Sequence, residues 1–371
     1  MNPSTNPISL KDVFKVFLKL GILGFGGPLA HMAMMRKEVV ERKKWLSDQE
    51  FMDLVGATNL IPGPNSTELA IHIGHKTAGW LGLIVAGLSF ILPAFFCVLA
   101  LAMSYASFGD LPRFEPILAG IRPVIIVIVI EALIKFRRTA IPGISAAMVA
   151  LVALVLSIMN VNEILIILGL GALYASFFFR SLKSFYLFPV ITIPSVLTPV
   201  TSNSIFYFFL KIGSLLFGSG YVLLAFLQSE LVDQRMWLTQ KQLLDAVTAG
   251  QITPGPVFTT ATFIGYLLKS YEGAILATLG IFLPSFFFVA LSAPFLNQMR
   301  ASSTISKFID GVNAVSFALL LKVTFDLSRT SFVNTPTYLI GLVSLILIFS
   351  FKQLNSAWLI LCAGILGFLF L

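Results

Sequence analysis

The sequence predicts an all-α polytopic membrane protein built from two pseudo-symmetric, inverted repeats. Each repeat is expected to hold two re-entrant helical hairpins, broken at Gly/Pro tips, and about four spanning helices. Three observations predict this: a composition too apolar for water, a tandem repeat of special residues, and short amphipathic segments interrupted by glycine and proline.

Of 371 residues, 57% are hydrophobic and 11% charged, and 35 are phenylalanine. A soluble domain carries about 25% charged residues, so lipid must solvate this apolar surface. The net charge of +8 fits a positive-inside bias better than a nucleic-acid surface. Cys97 and Cys362 sit in apolar runs and form no disulfide framework. His31, His72 and His75 do not make a metal centre on their own, and no metal or cofactor is expected. The polar N-terminus lacks a signal-peptide pattern, and no lipidation motif is present. Without H-E-x-x-H, G-x-S-x-G or a P-loop, no enzymatic activity is expected.

The repeat emerges when F-L-K-L-G-I-L-G-F-G-G-P (17–28) is set above F-L-K-I-G-S-L-L-F-G-S-G (209–220). An offset of 192 carries Lys19 onto Lys211, Gly26 onto Gly218, Glu38 onto Glu230, Trp45 onto Trp237 and Asp53 onto Asp245. It also carries Pro62-Gly63-Pro64 onto Pro254-Gly255-Pro256. The offset then slips to 191, which pairs Gly74 with Gly265, Gly82 with Gly273 and Pro93 with Pro284. Residues 1–183 and 203–371 are read as the two repeats, joined by a Pro-containing linker at 184–202 that is expected to cross the membrane. Repeats of this size in a membrane chain point to a transporter.

Segment lengths set the elements. Runs near 80–104, 117–135, 142–159 and 163–180 are expected to span, as are 272–296, 308–326, 336–351 and 355–371. Segments 11–25, 28–43, 48–61 and 64–77 are too short to cross, and they pair as hairpins around G-F-G-G-P and P-G-P. Ser47-x-x-Glu50 and Thr239-x-x-Gln242 read as capping boxes, with Trp45 and Trp237 as interfacial anchors just before them. Arg36, Lys37, Arg42, Lys43 and Lys44 fall on one side with Lys135, Arg137, Arg138, Arg180 and Lys183. The second copy carries Arg300 and Lys307 in its first long loop, which favours inversion.

G-F-G-G-P, E-x-x-E-R-K-K-W-L-S and P-G-P, followed by the same set again, resemble the chromate ion transporters, the CHR family, over most of the chain as two tandem domains. The resemblance implies an inner (plasma) membrane, multi-pass transporter of tetrahedral oxyanions. It implies chromate export from the cytoplasm, chromate resistance, dependence on the proton gradient, and sulfate as a related or competing anion. One departure is Gly218-Ser219-Gly220 where the first copy has Gly26-Gly27-Pro28.

Three kinds of group suit an oxyanion. Half-helix starts expose N–H groups with the macrodipole behind them. Pro64 and Pro256 are read as first helical residues. Asn65 and Ser66 follow in the first copy, Thr259 and Thr260 in the second. Gly26, Gly27, Gly63, Gly218 and Gly255 permit close backbone approach. The bland alternative is that these residues only turn the chain and pack helices. Arg122, inside an apolar run with Glu131 nine residues on, is read as an anion contact, against a snorkelling or Glu-paired structural arginine. Lys19 and Lys211 are expected to attract the anion, against a solvated helix face.

The carboxylates Glu38 and Glu230, and Asp53 and Asp245, repeated across the copies, are read as pairing with nearby Lys or Arg, capping helices, or carrying the coupling proton. Glu68 and His72, which share a helical face with His75, are also candidates for proton coupling. Packing is the alternative. The expected partners are chromate or sulfate and the bilayer, with no nucleic acid and with a homodimer open. Alternating access is the expected mechanism. The rivals are a carrier of sulfate or another anion, and a lipid scramblase or assembly scaffold using the same hairpins.

Overall fold

The computed structural model of the chain describes residues 8–25, 27–108, 114–159, 161–178, 199–216, 222–293, 303–351 and 356–371. Gly26, Gly218 and most of the 184–202 linker lie outside the described residues, as do Arg180, Lys183 and Arg300.

Among the described residues the chain is helical throughout. The first repeat holds α1 (Leu10–Leu23), α2 (Gly27–Arg36) with a π-helical turn (Lys37–Arg42), α3 (Asp48–Thr58), α4 (Asn65–Phe108), α5 (Phe114–Ala140), α6 (Ile144–Ile158) and α7 (Glu163–Phe178). The second holds α8 (Ser202–Leu215), α9 (Val222–Leu227) with a π-helical turn (Gln228–Gln234), α10 (Gln240–Ile252), a 3-10 turn (Val257–Thr259), α11 (Thr260–Ser292), α12 (Ser303–Ser331), α13 (Thr335–Ser350) and α14 (Ser356–Phe370).

Local chemistry repeats with the sequence. Both expected capping boxes form, at Ser47 with Glu50 and at Thr239 with Gln242. The Ser47 N–H, then Lys76 and the Ser47 hydroxyl, hold the Glu50 carboxyl at about 2. Its contribution to stability is therefore present above the ordinary carboxylate range and fades only as pH falls toward that value. Each π-helical turn closes with the same bonds: Trp45 N–H to the Val39 carbonyl and Trp237 N–H to the Leu231 carbonyl, both 2.8 Å.

The runs 65–108 and 260–292 each contain a reversal. Ala78 and Gly79 break α4 (φ −141° and 65°), and Lys269 and Ser270 break α11 (φ −153° and 51°). The two limbs then pack back to back. A Cβ on Gly74 would stand 2.3 Å from the Gly82 carbonyl oxygen, and one on Gly265 would stand 2.2 Å from that of Gly273. Half-helices at 65–77 and 260–268 thus lead into long helices at 80–108 and 271–292.

The two long limbs run antiparallel to one another. Gly87 lies against the Phe286 ring, while Tyr271 Oη reaches Met103 Sδ at 3.6 Å. Equivalent helices of the two repeats therefore point in opposite directions, as an inverted repeat requires. The repeats also interdigitate. α13 and α14 pack on α5, and reciprocally α6 and α7 pack on α12. The small residues at these crossings allow close approach: Gly120 meets Gly367, and Gly311 meets Gly171.

Exposed apolar side chains such as Phe96, Met148, Phe177, Phe287, Phe325 and Phe368 surround this bundle. The chain is a multi-pass membrane protein. Of the roughly four spanning helices expected per repeat, two are long and two are short. α6 and α14 have 15 residues, α7 and α13 have 16, about 23 Å of rise against a hydrocarbon core of about 30 Å.

Gly120→Val drives its side chain into the Ala363 carbonyl oxygen, 2.4 Å from the ideal Cβ. The expected loss is about 1–3 kcal/mol, read as a lower melting temperature in detergent. Gly143→Ala, with nothing within 4 Å of its Cβ, is expected to change stability by no more than about 0.5 kcal/mol.

Candidate functional site

The two P-G-P breaks meet the opposite repeat. Gly63 N–H donates to the Leu216 carbonyl at 2.7 Å, where α8 ends. Gly255 N–H donates to the Gly24 carbonyl, also at 2.7 Å, where α1 ends. The offset of 192 relates Gly63 to Gly255 and Gly24 to Leu216, so the pair of bonds is reciprocal. Such reciprocity is the mark of a two-fold relation. Both glycines adopt left-handed φ, 137° and 89°, which a side chain would strain. Both tips pack on the antiparallel pair of long limbs. Gly63 sits beside Ser285, and Gly255 sits beside Ala94, its repeat equivalent.

The chemistry around the tips is one-sided. After Gly63, the Pro64 carbonyl accepts the N–H groups of Thr67 and Glu68. Pro64 is therefore the cap of α4 rather than its first residue, and Pro256 likewise caps the 3-10 turn. This corrects the sequence reading by one position. Asn65 and Ser66 hold the first N–H groups, which helix geometry leaves without helical acceptors. Glu68 folds back toward the tip: a Cβ on Gly63 would lie 2.2 Å from its Oε1 and 2.5 Å from Ser285 Oγ. Glu68, Thr67 and Ser285 are all 0% exposed. Both carboxyl oxygens of Glu68, Thr67 Oγ1 and Ser285 Oγ lack a hydrogen-bond partner, as does Nε2 of buried His72. At the second tip, Thr259 Oγ1 donates to the Pro256 carbonyl and Thr260 Oγ1 to the Val257 carbonyl, both at 2.8 Å. Their hydroxyl protons are committed to the backbone.

His31, counted in the sequence but given no role, belongs to this region. Its Nε2 lies 2.9 Å from the same Gly24 carbonyl that accepts Gly255. A carbonyl only accepts, so Nε2 carries the proton, and buried Nδ1 is left without a partner.

The expected cationic anion contacts lie in ion pairs. Lys19 Nζ reaches Glu38 at 3.1 Å and Lys211 Nζ reaches Glu230 at 2.6 Å. Arg42 and Arg235 add second cations to the same carboxylates. Arg122 binds Asp245 with two bonds of 3.0 Å, from Nε and Nη2, and Glu115 with a third of 2.9 Å from Nη1. Tyr105 Oη donates to the same Asp245 at 3.0 Å. The acids paired with Arg122 are therefore Asp245 and Glu115, and Glu131 pairs with Lys135. The sequence reading placed Asp245, with its repeat mate Asp53, among the carboxylates able to pair with a nearby Lys or Arg, but did not name Arg122. The residue that faces it lies 123 positions away, and no local spacing marks such a pair.

A sequence model of the chromate transporter family matches residues 11–175 and again residues 203–368. The chain belongs to the chromate transporter family. It is 33% identical to a probable chromate transport protein of Synechococcus elongatus, covering 98% of this chain and 96% of the relative. It is 31% identical to a chromate transport protein of Cupriavidus metallidurans, over 97% of this chain and 92% of the relative. A chromate transport protein of Pseudomonas aeruginosa is 28% identical over 98% of this chain and 93% of its own length. No solved structure matches. The two family matches coincide with the two structural repeats and contain both clasped tips. Membership implies a transport role rather than a catalytic one.

Removing either partner of a buried pair strands the other charge, at a cost of about 3–5 kcal/mol. Arg122→Gln or Asp245→Asn alone is expected to destabilise the detergent-solubilised protein on that scale. The double variant should recover a large part of the loss, which a double-mutant cycle on unfolding measures.

Proposed function

We propose that the protein carries chromate out of the cytoplasm across the inner membrane by alternating access, drawing on the proton-motive force. The observation that carries this reading is the reciprocal clasp of the two tips, which sets two broken half-helices against the centre of an inverted repeat. Broken helices at the repeat interface are where transporters of this build place substrate. In this reading the half-helices re-enter the membrane, with the P-G-P breaks at its midplane.

The first tip supplies the donors. Asn65 and Ser66 present N–H groups at the positive end of the α4 half-helix. The hydroxyls of Thr67 and Ser285 stand without partners beside them, and the missing side chain of Gly63 leaves the backbone approachable. Thr259 and Thr260 have spent their donors, so the second tip is a structural counterpart rather than a second equal site. Lys19, Lys211 and Arg122 act at a distance: the first two balance Glu38 and Glu230, and Arg122 fixes α5 to α10. Tetrahedral shape and double charge are common to chromate and sulfate, so sulfate is expected to compete.

Purified protein in proteoliposomes is expected to move chromate saturably, with sulfate as a competitor. Gly63→Ala meets both a left-handed φ and the Glu68 carboxyl, and should lower the rate by at least about tenfold, equivalent to about 1.4 kcal/mol, without abolishing folding. Wild-type vesicles that show no saturable chromate movement would reject the function. Full activity in Gly63→Ala would remove the first tip from the site.

A further inference from the structure

We propose that the start of α4 is a shared site for one oxyanion and one proton, and that Glu68 must hold the proton for the oxyanion to bind there. This deepens the reading above and rests on it: a dianion leaving with one proton carries one net negative charge outward, so the membrane potential is the part of the proton-motive force that drives export.

Glu68 is the fourth residue after the Pro64 cap, one place beyond the position whose side chain closes a capping box on the cap residue's own N–H. Pro64 has none, and the neighbouring Gly63 N–H is given to Leu216. The carboxyl turns back onto the tip, where neither Pro64 nor Gly63 gives it a donor, and both its oxygens stay unpartnered in a fully buried position. Around it the unspent groups suit an anion: the hydroxyls of Thr67 and Ser285 and the first-turn N–H groups of Asn65 and Ser66. Ionised, Glu68 places a negative charge in the middle of these donors and repels a dianion. Protonated, it loses that charge and gains an O–H donor, so it joins the ring of groups that bind the oxyanion. A buried carboxylate without a partner is costly, and a proton removes that cost as well.

Few other titratable groups surround it. On its own helix His72 lies one turn on, with Nε2 unpartnered, and His75 meets Trp80 edge to face. The long limb of α4 adds Cys97 and Tyr105, the latter bound to Asp245. α8 brings Lys211, paired with Glu230. α1 brings Lys19, paired with Glu38, and the solvent-side Lys11, Asp12 and Lys15, and α2 brings His31, whose Nε2 is held by the Gly24 carbonyl and whose Nδ1 has no partner. α3 brings Asp48, paired with Arg36, Glu50, paired with Lys76, and Asp53, bound by Gln49. On α11, Lys269 pairs with Glu272, and Tyr266 meets Tyr271 edge to face. Residues 273–292, which include Ser285, contain no titratable side chain. The site exists once. The second copy has Thr259 for Glu68, Phe263 for His72 and Ala94 for Ser285.

The test is equilibrium binding of sulfate and of chromate to the purified full chain at a series of pH values, beside chromate exchange in vesicles at each pH. Sulfate keeps its double charge across the neutral range, so its profile reports the protein alone. Wild-type affinity for sulfate is expected to rise as pH falls, by up to about tenfold per pH unit for one linked proton. Glu68→Gln is expected to bind at all pH values with the affinity the wild type reaches only in acid. A pH profile unchanged in Glu68→Gln overturns the proposal, and so does a profile lost in His72→Gln but kept in Glu68→Gln. Ser285→Ala should weaken binding while keeping the profile. If it leaves affinity unchanged, the anion is not at this tip and the proposal falls. Chromate exchange by wild-type vesicles separates the two levels: its absence rejects the transport function, whereas its presence with an unaltered Glu68→Gln profile rejects only the shared site.

Discussion

The structure depends on two backbone hydrogen bonds, Gly63 to Leu216 and Gly255 to Gly24. A chain in lipid must satisfy every backbone N–H and C=O itself. Breaking a helix inside the bundle frees such groups, and the proline that makes the break cannot donate. Each repeat leaves a donor at its P-G-P tip and an acceptor at the end of its first half-helix. Each satisfies the donor of the other. The glycine at each tip follows from the left-handed φ needed to aim that N–H across the interface. The long limbs of α4 and α11 must then cross between the tips, and α6, α7, α13 and α14 close the bundle by packing on the opposite repeat.

Arg122 belongs to the same problem at a different depth. Its bidentate pair with Asp245 joins α5 of one repeat to α10 of the other, and Tyr105 and Glu115 complete the network. Buried pairs add little net stability, because desolvation cancels most of the attraction. Their geometric demand is strict, however: two parallel bonds fix both position and angle. The equivalent place in the other half holds Asn313, whose Oδ1 is buried without a partner. The pseudo-symmetric counterpart of Arg122 is thus uncharged, and the bidentate ion pair is not repeated at that place.

Much of this was legible in the sequence, because residues with special conformations are hard to disguise. The repeat, its slip from 192 to 191, the capping boxes and the P-G-P tips all carried over. So did inversion, read from a few loop charges and met again in the antiparallel limbs. What was illegible depends on non-local contact. The pairing of Arg122 with Asp245 spans the repeats, and local context suggested Glu131 instead. The π-helical turns at 37–42 and 228–234 leave no composition signature, yet they position Glu38 and Glu230 toward Lys19 and Lys211. Glu68 stood out by spacing, but its lack of a partner depends on Gly63 being already engaged. Ser285 was visible only as a difference, serine against Ala94 after the shared proline.

An inverted repeat offers a route to alternating access, in which each half takes the other's conformation and the open side changes. Such an exchange leaves the region between the clasped tips least displaced, since the tips pack on the middle of the antiparallel limbs. A substrate that must be reached from both sides belongs there. Symmetry of the frame does not require symmetry of the chemistry, and two equal anion sites so close together would repel one another when filled. Placing Glu68, Ser285 and Thr67 at one tip, with Thr259, Thr260 and Ala94 at the other, keeps the two-fold motion while confining charge to one site. In the proposed mechanism the repeat supplies the movement, and its departures from symmetry supply the selectivity.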